Sequence, residues 1–228
     1  MFKKIVGFGD SWMYGDELTE PNITATNIHE VGLQHRAYRE SNCFLGQLGQ
    51  HYSVPTENFG LMGGSLDSAK WTFLWWLEHE PNPESCLVLH GITNSYRFSH
   101  YNPNHIQYLD DPEWNRFVHS AWPSNKFEPL IKQQTVLTDS PELHRLRYQE
   151  ALLLFDGVSS RRNILTMQFH VFPEDYSFEL PTVFDDWHLK SCITDTKPGG
   201  HPDETGHKKI AQHLINLIDP AIINKIAL

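Results

Sequence analysis

The sequence predicts one doubly wound α/β domain, a mostly parallel sheet flanked by helices, and three observations carry that expectation. Short apolar runs bounded by glycine or polar residues recur at 3–8, 87–89 and 164–167, as strands buried on both faces require. Segments with one apolar face at helical spacing alternate with them. No internal repeat or low-complexity stretch interrupts the 228 residues, a length that suits a single full core.

The first run, ending in Gly7 and Phe8, delivers Asp10 and Ser11 to its carboxyl end, where open α/β sheets hold their sites. Phe44, Leu45 and Leu48 then predict a helix over 42–52 with Ser41 as its cap, followed by a strand near Asn58-Phe59-Gly60. From Ser65 the positions Leu66, Ala69, Phe73, Trp76 and Leu77 keep one face apolar until Pro81 and Pro83 break the pattern. Trp71, Trp75 and Trp76 share this helix with Phe73 and Leu77, so they read as core or interface residues before they read as a sugar platform. Residues 87–89 and 164–167 are candidate central strands, and Ile210, Leu214, Leu217 and Ile218 line one face of a final helix.

Residues 97–139 break this alternation. Turn-like stretches around Pro103, Pro112 and Pro123 mark an insertion, either a lid and binding wall or mere decoration. Tyr96, Tyr101, Trp114 and Trp122 are the aromatics placed to shape such a wall.

Eighteen Lys plus Arg against twenty-eight Asp plus Glu give a net charge of -10, which argues against binding nucleic acid backbones. The odd set Cys43, Cys86 and Cys192, without tight spacing, gives neither a disulfide framework nor a zinc knuckle. The apolar stretch after Lys3-Lys4 is too short for an export signal, and no run approaches the ~20 apolar residues of a membrane span. The expectation is a soluble, cytoplasmic protein with no membrane partner.

Chemistry concentrates at two places. Gly9-Asp10-Ser11, with Gly15 four residues on, sets a serine just past a strand, where its hydroxyl needs a base to become a nucleophile. His201 lies between Gly199-Gly200 and Pro202, in a constrained loop before a helix, and a neutral imidazole there can accept that proton. Asp10 reads as a structural hydrogen-bonding residue, and His207 as a capping or surface residue. His100, His105, His119, His170 and His188 show no ligand spacing, so no metal site is expected.

These blocks resemble the SGNH hydrolases, also called the GDSL esterase/lipase family. The first is Gly9-Asp10-Ser11, the second Asn58-Phe59-Gly60-Leu61-Met62-Gly63, the third Gly91-Ile92-Thr93-Asn94, and the last runs from His201-Pro202 to Gly206-His207. Gly91 to Asn94 with Arg97 also resembles SGNH-like proteins of tailed phages. The resemblance implies a flavodoxin-like sheet, Ser11 as nucleophile, His201 as base, and an oxyanion held by the amides of Ser11 and Gly63 with a third-block side chain. It implies hydrolysis of an O-acyl ester, an acetyl ester of a glycan or another small ester ranking above a lipid, with neither metal nor organic cofactor.

Two departures stand out. The family asparagine falls two residues after the third-block glycine, where this chain has Thr93, with Asn94 next; both are candidate donors. The family also places an aspartate three residues before the histidine, where this chain has Pro198. Asp195, Asp203 or a backbone carbonyl are the alternatives for orienting His201. A non-catalytic glycan-binding or structural module on the same fold is the competing reading. No motif speaks to oligomeric state.

Overall fold

The structure, a computed structural model, describes residues 2–18, 36–97, 99–101, 117–119, 140–172, 183–192 and 200–226. Its main sheet comprises β1 (Lys4–Gly9), β2 (Thr56–Gly60), β3 (Cys86–Ile92), β6 (Leu165–His170) and β7 (Val183–His188). All neighbours are parallel, in the order β2-β1-β3-β6-β7. Numbered within this sheet alone, the order is 2-1-3-4-5, the flavodoxin-like arrangement whose chain reversal opens a crevice beyond the carboxyl ends of the first and third strands. The expected doubly wound fold is therefore present.

Each face of the sheet carries its own core, because successive strand residues point to opposite sides. Ile5, Leu87, Leu89, Met167 and Phe169 face α3 (Phe44–Tyr52) and α6 (Glu204–Ile226), which contribute Phe44, Leu45, Leu48, Ile210, Leu214 and Ile218. Val6, Phe8 and Val88 face α4 (Leu66–His79) and α5 (Pro141–Arg161), which contribute Phe73, Trp76, Tyr148, Leu152 and Phe155. All five residues expected on the apolar face of α4 are buried, Trp75 is half-buried, and Trp71 is exposed. Truncating a ring such as Phe73, fully enclosed by Phe8, Trp76, His90 and Phe155, costs about 3–5 kcal/mol.

One expectation needs correction, and two elements carry signals that the sequence pattern did not reveal. Ser41 caps nothing, because it lies inside a separate helix α2 (Arg36–Asn42) and gives its hydroxyl to the Tyr38 carbonyl; the next helix starts after Cys43. Helix α5 was not anticipated, although Ser140 caps it through the Leu143 amide and Pro141 occupies its first turn. Strand β7 was missed too, since its sequence VFDDWH lacks the continuous apolar run of a central strand; it is the sheet's edge. Of the insertion expected over 97–139, the described part beyond Arg97 is an antiparallel ribbon of β4 (Ser99–Tyr101) and β5 (Phe117–His119). Trp114 and Trp122 lie outside the described residues. Among those described, no helix is long and apolar enough to cross a membrane.

Two buried histidines are held neutral. His90 stacks on Phe155 with ring centroids 3.9 Å apart and lies edge-on to Phe73, and neither ring nitrogen has a hydrogen-bond partner among the described residues. Burial pushes its pKa down to about 3. His207, expected at a cap or on the surface, is also fully buried; its Nδ1 accepts from the Phe44 amide at 3.2 Å, and burial likewise brings it to about 3. It does cap a helix, but a different one from its own.

A histidine whose pKa is depressed by folding stabilises the fold above its unfolded value near 6.5, and that contribution is lost as pH falls toward 3, at about 1.4 kcal/mol per pH unit for each ring. Asp10, raised by burial, acts with the opposite sign and contributes less as pH rises. The urea midpoint is therefore expected to fall between pH 6.5 and 4, and His90→Phe to flatten that decline. An unchanged slope in the variant would contradict the assignment.

Candidate active site

The site is built on the segment that leaves β1. Asp10 ends the strand in extended conformation and caps the single-turn helix α1 (Ser11–Tyr14), its carboxylate accepting from the Trp12 amide at 3.0 Å. Trp12 and Met13 are buried and anchor the turn, while Ser11 stands at its start. Gly15 then takes a left-handed conformation at φ 80°, which lets its amide and that of Asp16 return to the Ser11 carbonyl. Beta strand β2 supports the turn from beside it: a Cβ on Gly60 would lie 2.3 Å from the Tyr14 amide nitrogen, so only glycine allows this approach.

Asp10 itself is completely buried. Its second oxygen accepts from the Thr93 hydroxyl at 2.7 Å and lies 3.5 Å from an Arg97 guanidinium nitrogen. Burial raises its pKa, while Arg97 and Thr93 pull it back down. The structural role expected for Asp10 is thus a tie between the ends of β1 and β3.

His201 closes the site from the far end of the chain. After Gly200 at φ 87°, its Nε2 lies 2.9 Å from Ser11 Oγ, and its Nδ1 lies 2.8 Å from Glu17 Oε2. The same Glu17 oxygen accepts from the His201 backbone amide at 3.4 Å. A carboxylate can only accept, so Nδ1 carries the proton and Nε2 is left to accept from the serine. Asp16 Oδ2 is 3.7 Å from Nε2, beyond hydrogen-bond reach but close enough to interact by charge. Burial raises the Asp16 carboxyl and the neighbouring His201 opposes the rise.

The loop bearing His201 is held by the helix behind it. Asp203 accepts from the Gly206 amide at 2.7 Å, an N-cap contact that commits this carboxylate to α6 and away from the imidazole. One turn further, buried His207 locks α6 to the start of α3. Asp195 and Pro198 lie outside the described residues.

The remaining sequence candidates fall around this pair. Gly63, in the loop after β2, has φ 68°, and the same loop is pinned to β1 by the Leu61 amide on the Gly9 carbonyl at 3.1 Å. Thr93 is buried and spends its one hydroxyl proton on Asp10. Asn94 is half-buried, and its amide donates to the Tyr96 hydroxyl at 2.8 Å, one of the two N–H groups it carries. Asp16 and Glu17 escaped sequence reasoning, and their signal was modest: two carboxylates just past the Gly15 turn that folds the chain back on Ser11. Among the described residues, no group of three or more His, Cys, Asp or Glu is placed to hold a metal ion.

All four sequence blocks thus meet beyond the carboxyl ends of β1, β2 and β3, on a sheet of flavodoxin-like order. In fold the chain is a flavodoxin-like, doubly wound α/β domain. No family model and no curated protein matches the sequence. Among solved structures, it is similar to two proteins described as lipolytic, of the G-D-S-L family. The one from Desulfitobacterium hafniense is 15% identical over 93% of this chain and 97% of that one, at a TM-score of 0.37. The one from Veillonella parvula is 14% identical over 93% and 96%, at 0.39. A carbohydrate esterase whose active site is described as having divergent catalytic and non-catalytic binding functions is 13% identical over 96% of this chain and 65% of that one, at 0.38.

The contrast between Thr93 and Asn94 is open to measurement. Thr93→Val, which leaves buried Asp10 short of a donor, is expected to cost about 1–3 kcal/mol in urea unfolding, with Thr93→Ser retaining most of the stability. Asn94→Ala is expected to stay within about 0.5 kcal/mol of the parent. Equal losses in the two would mean that Thr93 does not hold Asp10.

Proposed function

We propose that the chain is a serine ester hydrolase, and the observation that carries this reading is the hydrogen-bonded line from Ser11 Oγ to His201 Nε2, with Nδ1 satisfied by a carboxylate. His201 takes the Ser11 proton as Oγ attacks the ester carbonyl, and the developing oxyanion is held by the amides of Ser11 and Gly63 with the Asn94 side chain. The protonated imidazole then gives its proton to the leaving alcohol. Water, deprotonated by the same nitrogen, releases the acid from Ser11, and no step calls for a metal or an organic cofactor.

The substrate class is an O-acyl ester, and an acetyl ester of a glycan or of another small alcohol is favoured. Exposed Tyr96, whose hydroxyl accepts from Asn94, offers a ring face beside the third block that suits a polar, hydroxyl-rich alcohol. The competing reading as a non-catalytic glycan-binding or structural module drew its force from Pro198 standing where the family has its acid and from the altered third block. A carboxylate on Nδ1 answers the first of these, so the catalytic reading is preferred.

Intact mass after fluorophosphonate treatment tests it. One adduct is expected on the parent protein and none on Ser11→Ala, with hydrolysis of acetylated sugars lost in the same variant. A folded parent that takes up no reagent would refute the proposal.

A further inference from the structure

We infer that Glu17 is the positioning acid of this site, so that nucleophile and acid come from one short segment, 11–17, and the base from the loop before α6. This rests on the hydrolase reading and adds to it a residue that no sequence block marks.

The geometry is specific. One oxygen, Glu17 Oε2, takes both the Nδ1 proton at 2.8 Å and the His201 backbone amide at 3.4 Å, which fixes the ring's tautomer together with the loop that carries it. Both side chains are mostly enclosed, with 15% of the histidine and 11% of the glutamate exposed, so solvent screens the pair little. The backbone points the same way. Glu17 has φ 64°, a left-handed conformation that residues with a side chain rarely adopt, and it follows the left-handed Gly15 by two positions. That pair of reversals turns the glutamate back over Ser11 toward the imidazole. An extended backbone at Glu17 would carry its carboxylate away.

Asp16 is no substitute. Its oxygen lies 3.7 Å from Nε2, the nitrogen that serves Ser11, and not from Nδ1. It can favour the protonated ring by charge but cannot select the tautomer. Among the described residues, the charged and titratable groups that bear on His201 include Asp10, Asp16, Glu17 and buried His207, with Arg39 acting on Asp16.

The test uses the full chain with Glu17→Gln, Asp16→Asn and Ser11→Ala, and reads two signals. The first is the rate of fluorophosphonate labelling against pH. Glu17→Gln should slow labelling by about 10³- to 10⁴-fold at neutral pH, since the amide can hold the wrong tautomer, while leaving KM for any ester turned over little changed. Asp16→Asn should mainly move the pH midpoint of labelling. The second is the proton resonance of an imidazole N–H bound to a carboxylate, which lies far downfield of the amides. It should be present in the parent and in Ser11→Ala and absent in Glu17→Gln. If Glu17→Gln does not fold, Glu17→Asp carries the test, because a shorter carboxylate should shift the resonance and give intermediate labelling. Parent-like labelling and an unmoved resonance in either folded variant would overturn the inference. A parent that shows the resonance but takes up no reagent would instead overturn the hydrolase reading, with the pairing of Glu17 and His201 intact.

Discussion

A carboxylate shut away from water must find donors, and at Asp10 that requirement ties together the carboxyl ends of β1 and β3. The side chain accepts from the Trp12 amide in its own segment and from Thr93 after β3, with Arg97 close by. Two of the three parallel strands that frame the crevice are thereby joined at their ends. Ser11 begins the turn that this carboxylate caps, so its position follows from a buried hydrogen-bond network and not from the mobility of an exposed loop. The third strand, β2, enters through the glycine that permits its contact with Tyr14.

The histidines divide the labour by environment. His90 lies among aromatic rings and His207 under α3, both kept neutral by burial. His201 differs in having a carboxylate on one nitrogen and a hydroxyl on the other. The same side chain is thus packing material in the core and, on the proposed reading, a proton carrier at the edge, and its partners separate the two uses.

Much of this was legible in the sequence, because burial on two faces writes continuous apolar runs and helices write a periodic stripe. Strands β1 and β3 and helix α4 follow those signals closely. Strand β7 does not, since an edge strand needs no such run and its two aspartates hide it. Helix α5 went unread although its start carries a Ser-Pro signal and its buried positions recur every three or four residues. Ser11 and His201 stood out because glycine and proline frame them at the ends of regular elements. Glu17 did not, since its reach to the imidazole depends on a positive φ that no residue type announces. The choice between Thr93 and Asn94 also turned on which side chain faces inward, a matter of strand register that a motif does not encode.

Ser11 and His201 are separated by 190 positions along the chain, and the histidine stands just ahead of the helix that docks through His207. During synthesis, Ser11, Asp16 and Glu17 are made long before His201, so the hydrogen bond between Ser11 and His201 forms only once α6 has been made and seated. On the proposed reading, a chain cut short of α6 would carry the serine without its base, and reactivity would come only with the completed fold.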